Sequence, residues 1–91
     1  MRKIIVSGGL GFIGSNLINL LIKKNYFVIN IDKVSYASNF YNTKSFATKK
    51  NYKFIRLDIN NSSKLKRILN SYKPIAIFNL DLLLMSNLMN L

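Results

Sequence analysis

Apolar and polar positions along the chain switch between two periods. Residues 3–7 are a β-branched run closed by glycines, which predicts a buried strand. Residues 12–24 carry Ile13, Leu17, Ile18, Leu20, Leu21 and Ile22, spaced for a helix with one broad apolar face, and Asn25 follows as its stop. Residues 26–31 read as a second strand. Residues 33–51, rich in Ser, Asn, Tyr and Lys, predict a loop with one short helix. A third strand is expected over 52–57. A second helix is expected over 60–71, with Leu65, Ile68 and Leu69 on one face and Asn60, Asn61 or Ser62 as its cap. Lys73-Pro74 breaks that helix, and residues 75–80 form a fourth strand.

Strands alternating with helices imply βαβ units and a parallel sheet. Right-handed crossovers put the first helix on one face. The second helix covers the other face if strand four lies beyond strand one. The expected fold class is therefore α/β: a partial Rossmann-like, doubly wound sheet of about four strands, in local order 3-2-1-4. Its crevice opens at the carboxyl ends of the strands, where strands one and four diverge. Residues 1–80 make up this dinucleotide-binding half-domain. Residues 81–91, with Leu82, Leu83, Leu84 and Met85, are an apolar tail of different character.

Composition narrows the chemistry. With no cysteine and no histidine, disulfide scaffolds, thiolate or imidazole metal sites and Ser-His-Asp triads are excluded. Asp32, Asp58 and Asp81 are the only acids, too far apart in sequence to suggest a paired-carboxylate hydrolase. Fourteen Lys and Arg give a net charge of +11, but they are scattered from Arg2 to Lys73 with no run longer than two. Together with abundant Asn and Ile, that scatter reads as compositional bias, and no nucleic-acid partner is expected. No stretch reaches the ~18–20 apolar residues that span a bilayer, nor the ~7–15 of a secretion signal. No membrane partner is expected, and the location is expected to be cytoplasmic.

The most specific feature is Ser7-Gly8-Gly9-Leu10-Gly11-Phe12-Ile13-Gly14, set between the first strand and the first helix. It satisfies G-x-G-x-x-G from Gly9, and Gly8, Gly11 and Gly14 satisfy G-x-x-G-x-x-G. Glycine is needed for a tight turn at positive φ, for close approach of backbone N–H groups to a pyrophosphate, and for tight helix–strand packing. The helix N-terminus supplies free N–H groups and the positive end of a dipole. Asp32 closes the second strand about twenty residues further on, where an acid accepts hydrogen bonds from the adenosine ribose and disfavours a 2′-phosphate. NAD is therefore expected over NADP. Asp58, after the third strand, is either a cap for the second helix or an adenine-binding residue.

These residues resemble the extended short-chain dehydrogenase/reductase family, and within it the dTDP-glucose 4,6-dehydratase group of nucleotide-sugar dehydratases. The glycine turn marks the superfamily. The stretch Asp32-Lys33-Val34-Ser35-Tyr36-Ala37-Ser38-Asn39 is similar to the group's Asp-Lys followed by Thr/Ser-Tyr-Ala-Gly-Asn, with Ser38 in the glycine's place. The segments 52–59 and 73–80 are similar to its third-strand and fourth-strand segments. The resemblance implies that Gly8, Gly11, Phe12, Ile13 and Gly14 line the cofactor pyrophosphate. It further implies that Asp32, Lys33, Ser35 and Ser38 surround the ribose, that Asp58 and Ile59 hold adenine, and that Leu80 lies under the cofactor. It implies an NAD-dependent lyase in the whole enzyme, with NAD taking and returning a hydride on a nucleotide sugar.

The likeness ends at Leu80. There the family continues with two small residues, an acid, a Ser/Thr and a His, while this chain has Asp81-Leu82-Leu83-Leu84-Met85-Ser86. No tyrosine here is followed four residues later by Lys, so the family's Tyr-x-x-x-Lys is not met and no catalytic residue is assigned. The expectation is an NAD(H)-binding N-terminal fragment, inactive alone. The alternatives are a non-catalytic NAD-binding or interaction module, paired with a downstream polypeptide or a second copy, and a fragment of another epimerase or dehydratase.

Overall fold

A computed structural model describes residues 1–34 and 40–80. The tail at 81–91, and Ser35 and Ser38, lie outside the described residues. β1 (Lys3–Ser7) is flanked by β2 (Phe27–Asp32) and β4 (Ala76–Asn79), and β3 (Tyr52–Arg56) pairs with the far side of β2. All pairings are parallel and the order is β3-β2-β1-β4, as the alternation of elements predicted. Ile4 stands beside Val28 and Ala76, and Ser7 beside Ile31 and Asn79.

The twofold period of the strands sorts their side chains into two cores. Ile4, Val6 and Val28 pack with Ile18, Leu21 and Ile22 of α1 (Phe12–Lys23) on one face. Ile5, Ile29 and Ile31 pack on the other, against Leu65, Ile68 and Leu69 of α2 (Ser62–Tyr72). Each fully buried aliphatic side chain contributes about 1.5–3 kcal/mol. Ile5, Val6, Ile18, Val28, Ile29 and Ile31 all sit at 1% exposure or less, so the two inner strands, β1 and β2, and α1 carry most of the core.

Helix boundaries follow capping chemistry. α1 ends where Asn25 turns left-handed at φ 67°, its N–H donating to Ile22 O at 3.0 Å. Of the three candidate caps for α2, Asn61 is the one used, its side chain accepting from Lys64 N at 3.3 Å. Lys73, at φ 49°, closes that helix ahead of Pro74. The polar stretch after β2 contains one short 3-10 helix, Phe40–Thr43, as expected. The stretch is more than a loop, however. Phe46 is fully buried in the α1-side core, edge-on to Tyr52 at 4.8 Å, and anchors the segment there.

Candidate functional site

The glycine turn joins the carboxyl end of β1 to α1, and its glycines do different jobs. Gly8 holds φ 77°, a left-handed value that admits glycine readily, and its N–H donates to Ile31 O at 2.9 Å. Gly14 lets α1 lie against the turn: a Cβ there would stand 2.8 Å from Gly9 Cα and 3.1 Å from Gly8 C. Gly9 fits between Ile18 and Asn30, where a Cβ would come within 2.5 Å of either side chain. Gly11 is different. A Cβ on it would meet only Gly8 O, at 3.5 Å, an ordinary contact. Nothing among the described residues demands glycine at this position.

Gly11 is the N-cap of α1 and has no side chain to satisfy the first turn. Ser15 N donates to Gly11 O at 2.9 Å, starting the helical ladder. The N–H groups of Phe12, Ile13 and Gly14 take no partner among the described residues, as expected of a first turn. The Phe12 and Ile13 side chains are exposed, and no acid occupies that turn. The result is an open cradle of N–H donors at the positive end of a helix, suited to an anion.

Asp32 lies in the last position of β2, buried at 4% exposure. Its Oδ2 accepts from Leu10 N at 3.1 Å and its Oδ1 from Val34 N at 2.8 Å. The carboxylate is thus fastened both to the glycine turn and to the chain leaving β2. The Leu10 carbonyl accepts from Asn42 Nδ2 at 3.0 Å. Lys33 is exposed beside Asp32. At β1 and β4, Ser7 Oγ donates to Asn79 Oδ1 at 2.8 Å across the point where the two strands diverge. A groove of about 590 Å³, lined by Phe12, Ser15, Asn16, Tyr41, Asn42, Lys44 and Ser45, flanks the first turn of α1.

The structure brings Gly8, Gly11, Phe12, Ile13, Gly14 and Asp32 to one end of the sheet. Asp58 and Ile59 follow β3 at that same end, which is tied to β2 by Leu57 N donating to Asp32 O at 3.1 Å. Asp58 is exposed and its Oδ1 accepts from Asn60 N at 2.9 Å, so it shapes the approach to α2 while Asn61 caps it. Leu80 is buried in the α1-side core. Asn30 is fully buried on β2, its Nδ2 donating to the Tyr52 hydroxyl at 3.1 Å while its Oδ1, beside Gly9, has no partner among the described residues. Burial pushes the Tyr52 phenol pKa up, the nearby Asp32 charge adds to this, and the Asn30 hydrogen bond opposes it.

Asn42, Asn79 and Asn30 were not foreseen. Each is an asparagine in an Asn-rich chain, and only the folded arrangement sets it apart. Among the described residues there is no group of three or more potential metal ligands, and no helix long and apolar enough to cross a membrane.

Comparison with known proteins agrees with this geometry. The chain is 38% identical over 81 residues to the dTDP-glucose 4,6-dehydratase of Neisseria meningitidis serogroup B, an alignment covering 88% of this chain and 23% of that protein. The crystal structure of dTDP-glucose 4,6-dehydratase from Bacillus anthracis, in complex with NAD, superposes with a TM-score of 0.82 at 33% identity, over 87% of this chain and 26% of the other. The UDP-glucose 4-epimerase of Thermotoga maritima superposes with a TM-score of 0.73 at 31% identity, over 86% of this chain and 23% of the other. The chain therefore spans about a quarter of the length of these relatives, 23% to 26%. Residues 5–82 match the model of the GDP-mannose 4,6 dehydratase family. A parallel 3-2-1-4 sheet, a glycine turn opening onto free helix N–H groups and this alignment converge on one assignment: the chain belongs to the GDP-mannose 4,6 dehydratase family.

Proposed function

We propose that this chain binds NAD(H) and supplies the dinucleotide-binding part of a nucleotide-sugar dehydratase, with dTDP-glucose as the substrate of the whole enzyme. One observation carries the reading. The N–H groups of Phe12, Ile13 and Gly14, without partners among the described residues, stand behind a glycine whose Cβ position is open, beside a buried acid at the end of the neighbouring strand. A pyrophosphate fits the first feature and an adenosine ribose the second. Bound NAD supplies hydride acceptance and return.

The residues of the chain bind and orient. Gly8 and Gly14 set the turn, Gly11 leaves room, and Phe12, Ile13 and Gly14 donate backbone N–H groups. Asp32 accepts from the ribose hydroxyls and repels a 2′-phosphate. Lys33, Ser35 and Ser38 about the ribose, Asp58 and Ile59 at adenine, and Leu80 beneath the cofactor complete the proposed set. The proposal extends to a cytoplasmic location.

Fluorescence titration with NADH and NADPH tests the reading. NADH is expected to bind more tightly, and Asp32→Ala to narrow the difference. Equal or tighter NADPH binding by the unaltered chain would contradict the role given to Asp32, and no binding of either nucleotide would overturn the proposal.

A further inference from the structure

The peptide units around Leu10 are held from several sides. The Leu10 N–H is taken by Asp32 Oδ2 at 3.1 Å, and the Leu10 carbonyl by Asn42 Nδ2 at 3.0 Å. The Gly11 N–H on that same peptide group donates to Gly8 O at 3.3 Å. Asn42 reaches Leu10 across 32 positions of sequence, and its own footing is firm. Thr43 beside it is buried and bonds Phe40 O at 2.8 Å. Phe46 N and Ala47 N both donate to Thr43 O, at 3.1 and 2.9 Å, and the Phe46 ring sits in the α1-side core. Phe40 packs edge-on to Phe54 of β3 at 5.3 Å.

We infer that Asn42 is a positioning residue for dinucleotide binding. It acts through the Leu10 carbonyl, fixing the peptide plane that leads into Gly11 and so the direction of the N–H groups that follow. The glycines that make this turn also make it loose, since each has more backbone freedom to lose than any other residue. A donor fixed on a separate, core-anchored segment removes that freedom before the ligand arrives. Pre-organisation of this kind raises affinity by lowering the ordering cost of binding. Asn42 also lines the groove beside α1, so the device lies on the wall of the site and outside the glycine motif. This inference rests on the proposed NAD(H) role.

The test is Asn42→Leu in the full chain, a change of similar size that removes the donor. NADH affinity by fluorescence titration is expected to fall about tenfold, the value of one neutral hydrogen bond at the upper end of its range. In the ligand-free chain, amide exchange at Leu10 and Gly11 is expected to quicken by a similar factor. Exchange at Ile5 and Ile29, in the middle of the sheet, is expected to stay unchanged. A merely structural role would speed all four amides together, and that result overturns the inference. So does NADH affinity within twofold of the unaltered chain, which leaves the cofactor reading standing. An unaltered chain that does not bind NADH overturns both. If Asn42→Leu does not fold, Asn42→Ser, which shortens the donor out of reach, is read by the same two measurements and the same criteria.

Discussion

Gly11→Ala separates a glycine required by the protein from one required by its ligand. Gly11 has φ −72° and ψ 170°, values alanine adopts freely. The added Cβ would meet only Gly8 O, at 3.5 Å. The fold should therefore lose only the difference between glycine and alanine at an N-cap, no more than about 1 kcal/mol. For a domain of this size that lowers Tm by at most ~8 °C. The ligand is affected differently. The methyl group fills the open space in front of the first-turn donors, and a pyrophosphate must retreat from at least one charge-assisted hydrogen bond. Such a bond is worth about 1.5–3 kcal/mol, so NADH affinity should fall roughly 10- to 100-fold. Thermal melts and NADH fluorescence titrations on the same preparations decide the matter. A variant that melts within this range and binds NADH within twofold of the original would refute the cradle.

Two further outcomes follow from neighbouring residues. Gly14→Ala should destabilise by about 1–2 kcal/mol, because a Cβ between Gly8 and Gly9 meets backbone that cannot step aside, at an overpacking cost of ~1–3 kcal/mol, while alanine's helix propensity returns at most ~1 kcal/mol; a urea midpoint at or above the original would contradict the close packing. The raised pKa of Tyr52 makes its neutral form the one that the fold prefers. Its stabilising effect is thus complete below the ordinary tyrosine value of about 10 and is lost as pH rises through the folded value. Melts between about pH 8 and 11 should show the original chain losing stability more steeply than Tyr52→Phe, and parallel curves would refute the assignment.

The fold was legible because its signals are local. A β-branched run ended by glycines, a period of 3.6 from Phe12 and the Lys73-Pro74 break each fix an element from a few adjacent residues, and chain-order rules supply the 3-2-1-4 sheet. The glycine turn was legible for the same reason, yet the division of labour within it was not. Gly14 packs and the space in front of Gly11 is open, a distinction that depends on where Gly8 O lies and not on spacing. Phe46 was hidden in a polar stretch because one aromatic residue carries no period. Asn42 was hidden more thoroughly: its bond to Leu10 exists only because Phe46 anchors the segment that bears it. Asp32 was placed correctly at the end of β2, but its two backbone bonds, to residues 22 positions before and 2 after, could not be read from a pattern.

The two faces of the sheet are covered unequally. α1 contributes Gly14, Ser15, Ile18, Leu21 and Ile22 as buried residues, whereas α2 contributes none and rests on half-buried Leu65, Ile68 and Leu69. Segments with few buried apolar contacts open at lower free energy than the rest of a domain. Lys64, Lys66 and Arg67 are exposed on that looser helix. A protease of broad specificity should therefore nick α2 before it reaches the interior of α1. The glycine turn and Asn42 sit on the better-protected side, so early cleavage would spare the nucleotide cradle.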